Sequence, residues 1–140
     1  MDSQAKETFE SSHPQADLAL KEPHQAMWRY YQDLLKIRRE MLDSVQLGQY
    51  YPEVKLLEEQ AILTLSYGNE EQEYYIFFCF SDRPEPVSMP PGGAWHLRLN
   101  SEASHWSGPG WDMAETLDSG SVITLPSMSC LVCSRALELI

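Results

Sequence analysis

The sequence is short of positive charge and of long apolar runs. Its 140 residues include 10 Lys and Arg against 21 Asp and Glu, which gives a formal net charge of −11. Such a charge repels phosphate backbones and anionic lipid, so neither a nucleic acid nor a membrane is an expected partner. No apolar run approaches the length of about 20 residues that a membrane span needs. Met1 to Leu20 also lacks the apolar core of a secretory signal.

Cysteine is scarce as well. Three cysteines are an odd number and too few for a disulfide framework, so we expect reduced thiols and a cytoplasmic location. Cys130 and Cys133 have C-x-x-C spacing, but there is no second such pair. In a strand, that odd spacing places the two side chains on opposite faces. The pattern favours core positions over redox or zinc chemistry.

Motifs of common catalytic sites are absent. The sequence contains no G-x-S-x-G, no H-E-x-x-H and no Gly-rich phosphate loop. The histidines (His13, His24, His96 and His105) are scattered, without Cys or acidic partners at metal-ligand spacing. Glu70, Glu71 and Glu73 are interpreted as a solvated hairpin loop rather than as the opposed carboxylates of a glycosidase. We therefore predict no catalytic residue, no metal site and no cofactor.

The most apolar stretch of the chain is Tyr74 to Phe80, which its aromatic and β-branched residues predict to be a strand. One face of this strand carries Tyr74, Ile76, Phe78 and Phe80, and the other carries Tyr75, Phe77 and Cys79. Because both faces are apolar, we expect a central strand that is covered on both sides. A second sheet would cover one side, and a helix or an absent domain would cover the other.

Residues 23–42 predict one amphipathic helix, with Pro23 in its first turn. Apolar side chains recur at steps of three and four, and Trp28 lies beside that face. The apolar coverage is therefore wider than the single stripe of a surface helix. Two interpretations stay open: the helix packs on its own sheet, or it is wedged between the sheet and another domain. Residues 1–22 are predicted to be a flexible arm.

Residues 51–140 alternate with period two and contain turn signals such as Pro90-Pro91-Gly92-Gly93. We expect about seven short strands and a mainly β fold, namely an antiparallel Greek-key β-sandwich preceded by one amphipathic α-helix. Two strand facings are also predicted. In one strand, the side chains expected to face inward are Ala61, Leu63, Leu65 and Tyr67, and those expected to face outward are Thr64 and Ser66. In another strand, one face is expected to carry Trp95, Leu97 and Leu99.

Three tryptophans are the candidate ligand-binding residues. Trp106 and Trp111 share a loop rich in Ser, Gly and Pro, and Trp95 begins the preceding strand. Indole faces stack on sugar rings because both surfaces are flat and partly apolar. Either the three residues form a carbohydrate-binding surface, or they cover the end of the sandwich core.

Three segments resemble parts of known enzymes. The segment His24 to Glu40, HQAMWRYYQDLLKIRRE, resembles the Y-x-x-L-L-x-L-R-R helix that closes the catalytic barrel in glycoside hydrolase family 13, the α-amylase family. Upstream, Glu7 to Ser12 resembles the T-F-x-x-S stretch that precedes this helix in malto-oligosyltrehalose trehalohydrolases. Arg98 to Glu102, and the strand after Leu125-Pro126, resemble the C-terminal β-domain of the same enzymes.

The resemblance implies a non-catalytic C-terminal sandwich that packs against a (β/α)8 barrel lying upstream. The parent would be a hydrolase that releases trehalose from malto-oligosyltrehalose by cleaving an α-1,4 bond. Its catalytic Asp, Glu and second Asp would all lie in that barrel, so this chain alone is not expected to be an enzyme. The expected partners are the barrel in cis and an α-glucan. The alternatives are an α-glucan-binding module that uses the tryptophans, and a freestanding sandwich with a protein partner.

Overall fold

A computed structural model describes residues 6–13, 15–46, 48–49, 51–69 and 71–136 of the chain. The α-helices of this part are α1 (Lys6–Ser11) and α2 (His24–Ser44). Its strands are β1 (Glu53–Leu57), β2 (Ile62–Gly68), β3 (Gln72–Cys79), β4 (Glu85–Ser88), β5 (Trp95–Asn100), β6 (Thr116–Leu117), β7 (Val122–Leu125) and β8 (Ser129–Ala136). Short 3-10 helices cover Ala16–Leu20, Glu58–Gln60 and Ser104–Trp106.

The strands form two unequal sheets in which every pairing is antiparallel. Six strands make the larger sheet, in the order β1-β2-β3-β8-β5-β6, and β4 pairs with β7 in the smaller one. The chain crosses from one sheet to the other four times after β3, as Greek-key sandwiches do. The predicted mainly β sandwich with a preceding helix is confirmed. The strand that the sequence pattern did not predict is β6, which is only two residues long.

Strand β3 lies inside the larger sheet and has an apolar cluster on each face. Phe77 and Cys79 belong to the core between the two sheets, whereas Tyr74 belongs to a second cluster under helix α2. The two predicted faces of this strand are therefore confirmed. The strand ends at Cys79, so Phe80 extends beyond it and stacks its ring beside that of Phe78.

The core between the sheets is built around Trp95, which has no exposed surface. Its indole Nε1 donates a hydrogen bond of 3.1 Å to the carbonyl oxygen of Pro90. The ring of Tyr75 lies edge-on at 5.8 Å, and the guanidinium of Arg135 lies over the indole at 4.4 Å. The large ring is thus buried with its polar atom satisfied, as a buried tryptophan requires.

Helix α2 covers part of the other face of the larger sheet. Its buried residues Ile37 and Met41, together with Val45 just after it, pack on Tyr74, Leu99 and Val132. Before the first turn, the Glu22 carboxylate accepts a hydrogen bond from the Ala26 backbone N–H. At the far end, the Asn69 side-chain amide donates to the Ser44 carbonyl oxygen at 2.5 Å. The β2–β3 hairpin therefore holds the last turn of the helix in place.

The segment before α2 is partly helical. Neither α1 nor the 3-10 helix Ala16–Leu20 contains a buried residue. Residues 1–5 and residue 14 lie outside the described residues. The flexibility of this arm stays a prediction.

The predicted facing of β2 is wrong. Ile62 and Thr64 are the side chains buried in the core between the sheets, at 0% and 3% exposure. Leu63, Leu65 and Tyr67 are half-buried and lie on the opposite side, where the helix is. Thr64 is tolerated inside because its hydroxyl oxygen accepts a hydrogen bond of 3.2 Å from the phenol of Tyr75.

The predicted common face in β5 is also wrong, because the strand is irregular between Leu97 and Leu99. Leu97 pairs with Cys133, and Leu99 pairs with the next residue of β8, Val132, so Arg98 is the extra residue of a bulge. The bulge moves Leu99 to the helix side of the sheet. Arg98 then reaches the carboxylate of Glu40 on α2 and the hydroxyl of Ser134.

We expect α2 to exchange its amide hydrogens faster than β3. The helix is held by one apolar side, whereas β3 is hydrogen-bonded on both edges and packed on both faces. Native-state hydrogen exchange of the isolated chain measures this difference directly. Equal protection of residues 28–42 and residues 74–79 would contradict it.

Candidate functional site

Helix α2 presents a stripe of exposed apolar side chains on the side that does not pack on the sheet. Its members, each between 46% and 62% exposed, are Met27, Trp28, Tyr31, Leu35 and Leu42. Because successive helical residues turn by about 100°, these five fall within an arc of about 100° next to the buried arc. About half of the helix circumference is therefore apolar, which is more than packing on one sheet uses.

The larger sheet is also exposed on its helix side, at the end that α2 leaves open. Val54 and Leu56 of β1 lie opposite Leu65 and Leu63 of β2, on one face of the sheet. Val54 and Leu56 are 56% and 59% exposed, and Phe80 is 60% exposed. Edge strands normally place charge or polar side chains towards solvent, so these apolar positions are unusual for a surface that is in contact with water.

A groove of about 240 Å³ joins the helix stripe to the exposed part of the sheet. Its helix wall includes Leu34, Arg38 and Met41, and its floor includes Ile76 and Phe78. We call the stripe, the groove and the exposed residues Val54, Leu56 and Phe80 together the apolar face. The apolar face lies on α2 and on the helix side of the larger sheet, and the exposed Arg38 is the charged residue in the helix wall of its groove.

The structure separates the three tryptophans that were predicted to bind carbohydrate. Trp95 lies in the core with no exposed surface, so that prediction is wrong for this residue: neither face of its indole is open to a sugar. Trp111 is 38% exposed, and its backbone N–H donates to the carbonyl oxygen of Glu102. Trp106 is half-buried against the ring of Tyr30, with a centroid separation of 5.4 Å. The three indoles do not form one surface.

Trp106 lines a polar groove of about 290 Å³ between α2 and the loop that follows β5. Asp33, Asp112 and Glu115 also line it. The Asp112 carboxylate accepts hydrogen bonds from the backbone N–H and the hydroxyl of Ser104, at 3.0 and 3.1 Å. These bonds lower the pKa of Asp112. A glycosidase general acid needs the opposite shift, so Asp112 is suited to holding the loop together rather than to donating a proton.

The three glutamates that were predicted to lie in one hairpin loop do not all lie in it. Glu71 lies in the β2–β3 turn, and Glu70 lies outside the described residues. Glu73 belongs to β3, where its carboxylate accepts hydrogen bonds from Nε and Nη2 of Arg135. In the part of the chain that the structure describes, no three His, Cys, Asp or Glu side chains are placed to hold a metal ion. No helix in that part is long and apolar enough to cross a bilayer.

The C-x-x-C cysteines lie on opposite faces of β8. Cys130 lies beside the groove under α2, and Cys133 lies in the core between the sheets. Burial raises the pKa of Cys130 to about 11 and the pKa of Cys133 to about 12, from an ordinary value of 9.0. Redox-active thiols need the opposite shift, so both cysteines are packing residues.

These raised thiol pKa values predict a loss of stability in alkali. Well below pH 9 the thiols are protonated in both states, so they do not affect the free energy of unfolding. As the pH approaches and passes 9 the unfolded chain loses these protons first, so stability falls with pH until the folded thiols also ionise. Urea unfolding at pH 8, 9 and 10 measures the decline.

The matched control is the double variant Cys130→Ala, Cys133→Ala, which should lose less stability over the same pH range. An identical decline in both proteins would show that other groups cause it.

No protein-family model matches the chain, and no curated protein sequence matches it. The assignment of a function therefore depends on the residues and on the geometry described above.

Proposed function

We propose that the chain is a non-catalytic C-terminal accessory domain of an α-amylase-family glycoside hydrolase, one that releases trehalose from malto-oligosyltrehalose. In this proposal the apolar face packs against the catalytic (β/α)8 barrel of the same polypeptide and stabilises it. The single observation that carries the proposal is the apolar face on α2 and β1–β3. The segment resemblances supply the identity of the barrel.

Helix α2 has the surface expected of an element between two domains. One side packs on the sheet through Ile37 and Met41, and the adjacent side carries Tyr31 and Leu35 in solvent. A helix on the surface of an isolated domain normally has one apolar side. In this proposal the second stripe completes the barrel while the first anchors the sandwich.

The proposed contact between the apolar face and the barrel is an interface between domains. Such interfaces bury roughly 600–1,500 Å² in total, and removing apolar area from water is worth about 25 cal/mol per Å². Large apolar patches are rare on soluble monomers and mark surfaces that another molecule covers. The resemblance implies a barrel directly upstream of this helix, so a barrel is the partner that we propose.

We expect the chain to associate in trans with an α-amylase-family barrel that lacks its last helix and C-terminal domain. Leu35→Glu and Leu56→Glu should each weaken the complex by at least about tenfold, because each buries an unpaired charge in the interface. Size-exclusion chromatography with light scattering measures the complex. The matched control is Thr124→Glu, which adds the same charge to an exposed site on the smaller sheet. Failure of the unaltered chain to bind, or equal binding by all three variants, would contradict the proposal.

The same proposal predicts that the purified chain alone does not hydrolyse maltodextrins or malto-oligosyltrehalose. The reason is that the resemblance places all three catalytic carboxylates in the barrel. Release of reducing sugar or trehalose is the measurement. Turnover that persists through successive purification steps would contradict the proposal.

A further inference from the structure

A second open site lies on the face of the larger sheet that is opposite the apolar face. It is a cleft of about 490 Å³ between the two sheets, which we call the sandwich cleft. The cleft exists because two strands face a sheet of six, so the inner side of β1–β3 is only partly covered. Its volume falls within the range of about 300–1,000 Å³ that is typical of small-molecule sites.

The floor of the sandwich cleft includes the half-buried ring of Tyr75, an aromatic platform that the buried rings of Phe77 and Trp95 hold in position. The rings of Tyr75 and Phe77 lie 4.9 Å apart, and Trp95 packs edge-on against the first of them. The phenol of Tyr75 donates a hydrogen bond to Thr64, which is itself 3% exposed. A ring fixed by packing and by a hydrogen bond loses little entropy when a ligand stacks on it.

The walls of the cleft supply polar groups that bind uncharged ligands. Gln60 contributes an amide, and Lys55 contributes an ammonium group. Lys55 is the one charged residue among those that line the cleft in the described chain, and Glu53 already pairs with it at 2.9 Å. An anionic ligand would therefore displace an existing ion pair, whereas a neutral ligand would not.

We propose that the sandwich cleft binds a neutral saccharide, with one sugar ring stacked on Tyr75 and its hydroxyls bonded to Gln60. A pyranose ring has an apolar C–H face for the aromatic platform and hydroxyls at its edge for the walls. An added peptide strand is the less favoured occupant, because Pro86 in β4 has no N–H to offer a neighbouring strand. This inference is independent of the proposed function, because the cleft and the apolar face are on opposite sides of the larger sheet.

The test is a titration of the ¹⁵N-labelled chain with maltoheptaose and, separately, with cellohexaose, followed by amide chemical shifts. We expect at least one sugar to shift residues 60, 75 and 88 and to saturate at about 10 mM or below. Gln60→Ala should raise Kd by about three- to tenfold, because it removes the amide that binds the sugar hydroxyls, and Tyr75→Phe should raise Kd less, because it keeps the ring and removes only the bond that holds it to Thr64. Trp111→Ala is the matched control and should leave Kd unchanged.

If the two single substitutions have little effect on Kd, a variant that blocks the cleft still tests the proposal. Gln60 lines the cleft and is half-buried, so Gln60→Trp should place an indole in the cleft without unfolding the chain, which a thermal melt verifies. Loss of the sugar-induced shifts in this variant supports the proposal. Three results would overturn it: no shifts with either sugar, shifts confined to residues 105–111, or cleft shifts produced by an extended apolar peptide but by neither sugar. None of these results bears on the association with a barrel.

Discussion

Replacing Trp95 with alanine should lower the free energy of unfolding by about 3–5 kcal/mol, the usual range for a large buried aromatic side chain. Trp95 is fully buried, and its neighbours Tyr75 and Arg135 are packed against the two sides of the ring system. Removing the indole leaves a cavity between the sheets and also removes the hydrogen bond to the carbonyl oxygen of Pro90. Urea unfolding followed by far-ultraviolet circular dichroism measures the change.

The control for this prediction is Trp111→Ala. Trp111 is 38% exposed and holds its loop through backbone atoms, so its truncation should change the free energy of unfolding by no more than about 0.5 kcal/mol. Similar losses for the two variants would mean that Trp95 is not the centre of the core.

The second large effect is expected at the ion pair between Glu73 and Arg135. Their side chains are only 20% and 12% exposed, and Nη1 of Arg135 also donates to the carbonyl oxygen of Pro91 at 2.6 Å. Glu73→Gln leaves a largely buried guanidinium without its carboxylate, next to Trp95. We expect a loss of about 2–3 kcal/mol in the free energy of unfolding, somewhat below the range for a fully buried pair.

A double-mutant cycle with Arg135→Met separates the pair from its surroundings. The double variant should recover part of the loss, because it leaves no unpaired charge in the sheet. The exposed pair Lys6–Glu10, with side chains 87% and 60% exposed, is the matched control, and Glu10→Gln should have no measurable effect. A loss at Glu73 as small as that at Glu10 would refute the prediction.

The sequence predicts a strand best when the hydropathy of its side chains alone determines how both of its faces are packed. Strand β3 was predictable because apolar side chains fill both of its faces. The facing of β2 was not, because alternation says which residues share a side but not which side is the core. Hydropathy predicts that Leu63 and Leu65 face the core between the sheets, yet they lie on the helix side of the larger sheet. Thr64 is buried in the core instead, where its hydroxyl accepts a hydrogen bond from Tyr75.

The sequence predicted that an apolar surface would be left open, but it did not predict which residues form that surface. The double apolar character of α2 and β3 indicated an unfilled side, and the structure places Leu35 and Phe80 on it. The tryptophans were misleading, because residue type alone does not distinguish the buried Trp95 from the exposed Trp111. The sandwich cleft had no sequence signal, since it results from the number of strands that each sheet contains.

The bulge in β5 connects the register of one strand to the attachment of the helix. Because Arg98 is inserted between Leu97 and Leu99, the same strand supplies a side chain to the core between the sheets and another to the cluster under α2. Deleting this one residue would leave Leu97 opposite Cys133 and Leu99 opposite Val132, so both leucines would keep their sides of the sheet, but it would withdraw the arginine that binds Glu40. A single-codon deletion in β5 would therefore remove the polar link between α2 and the sheet while leaving the apolar contacts and the two-sheet framework intact.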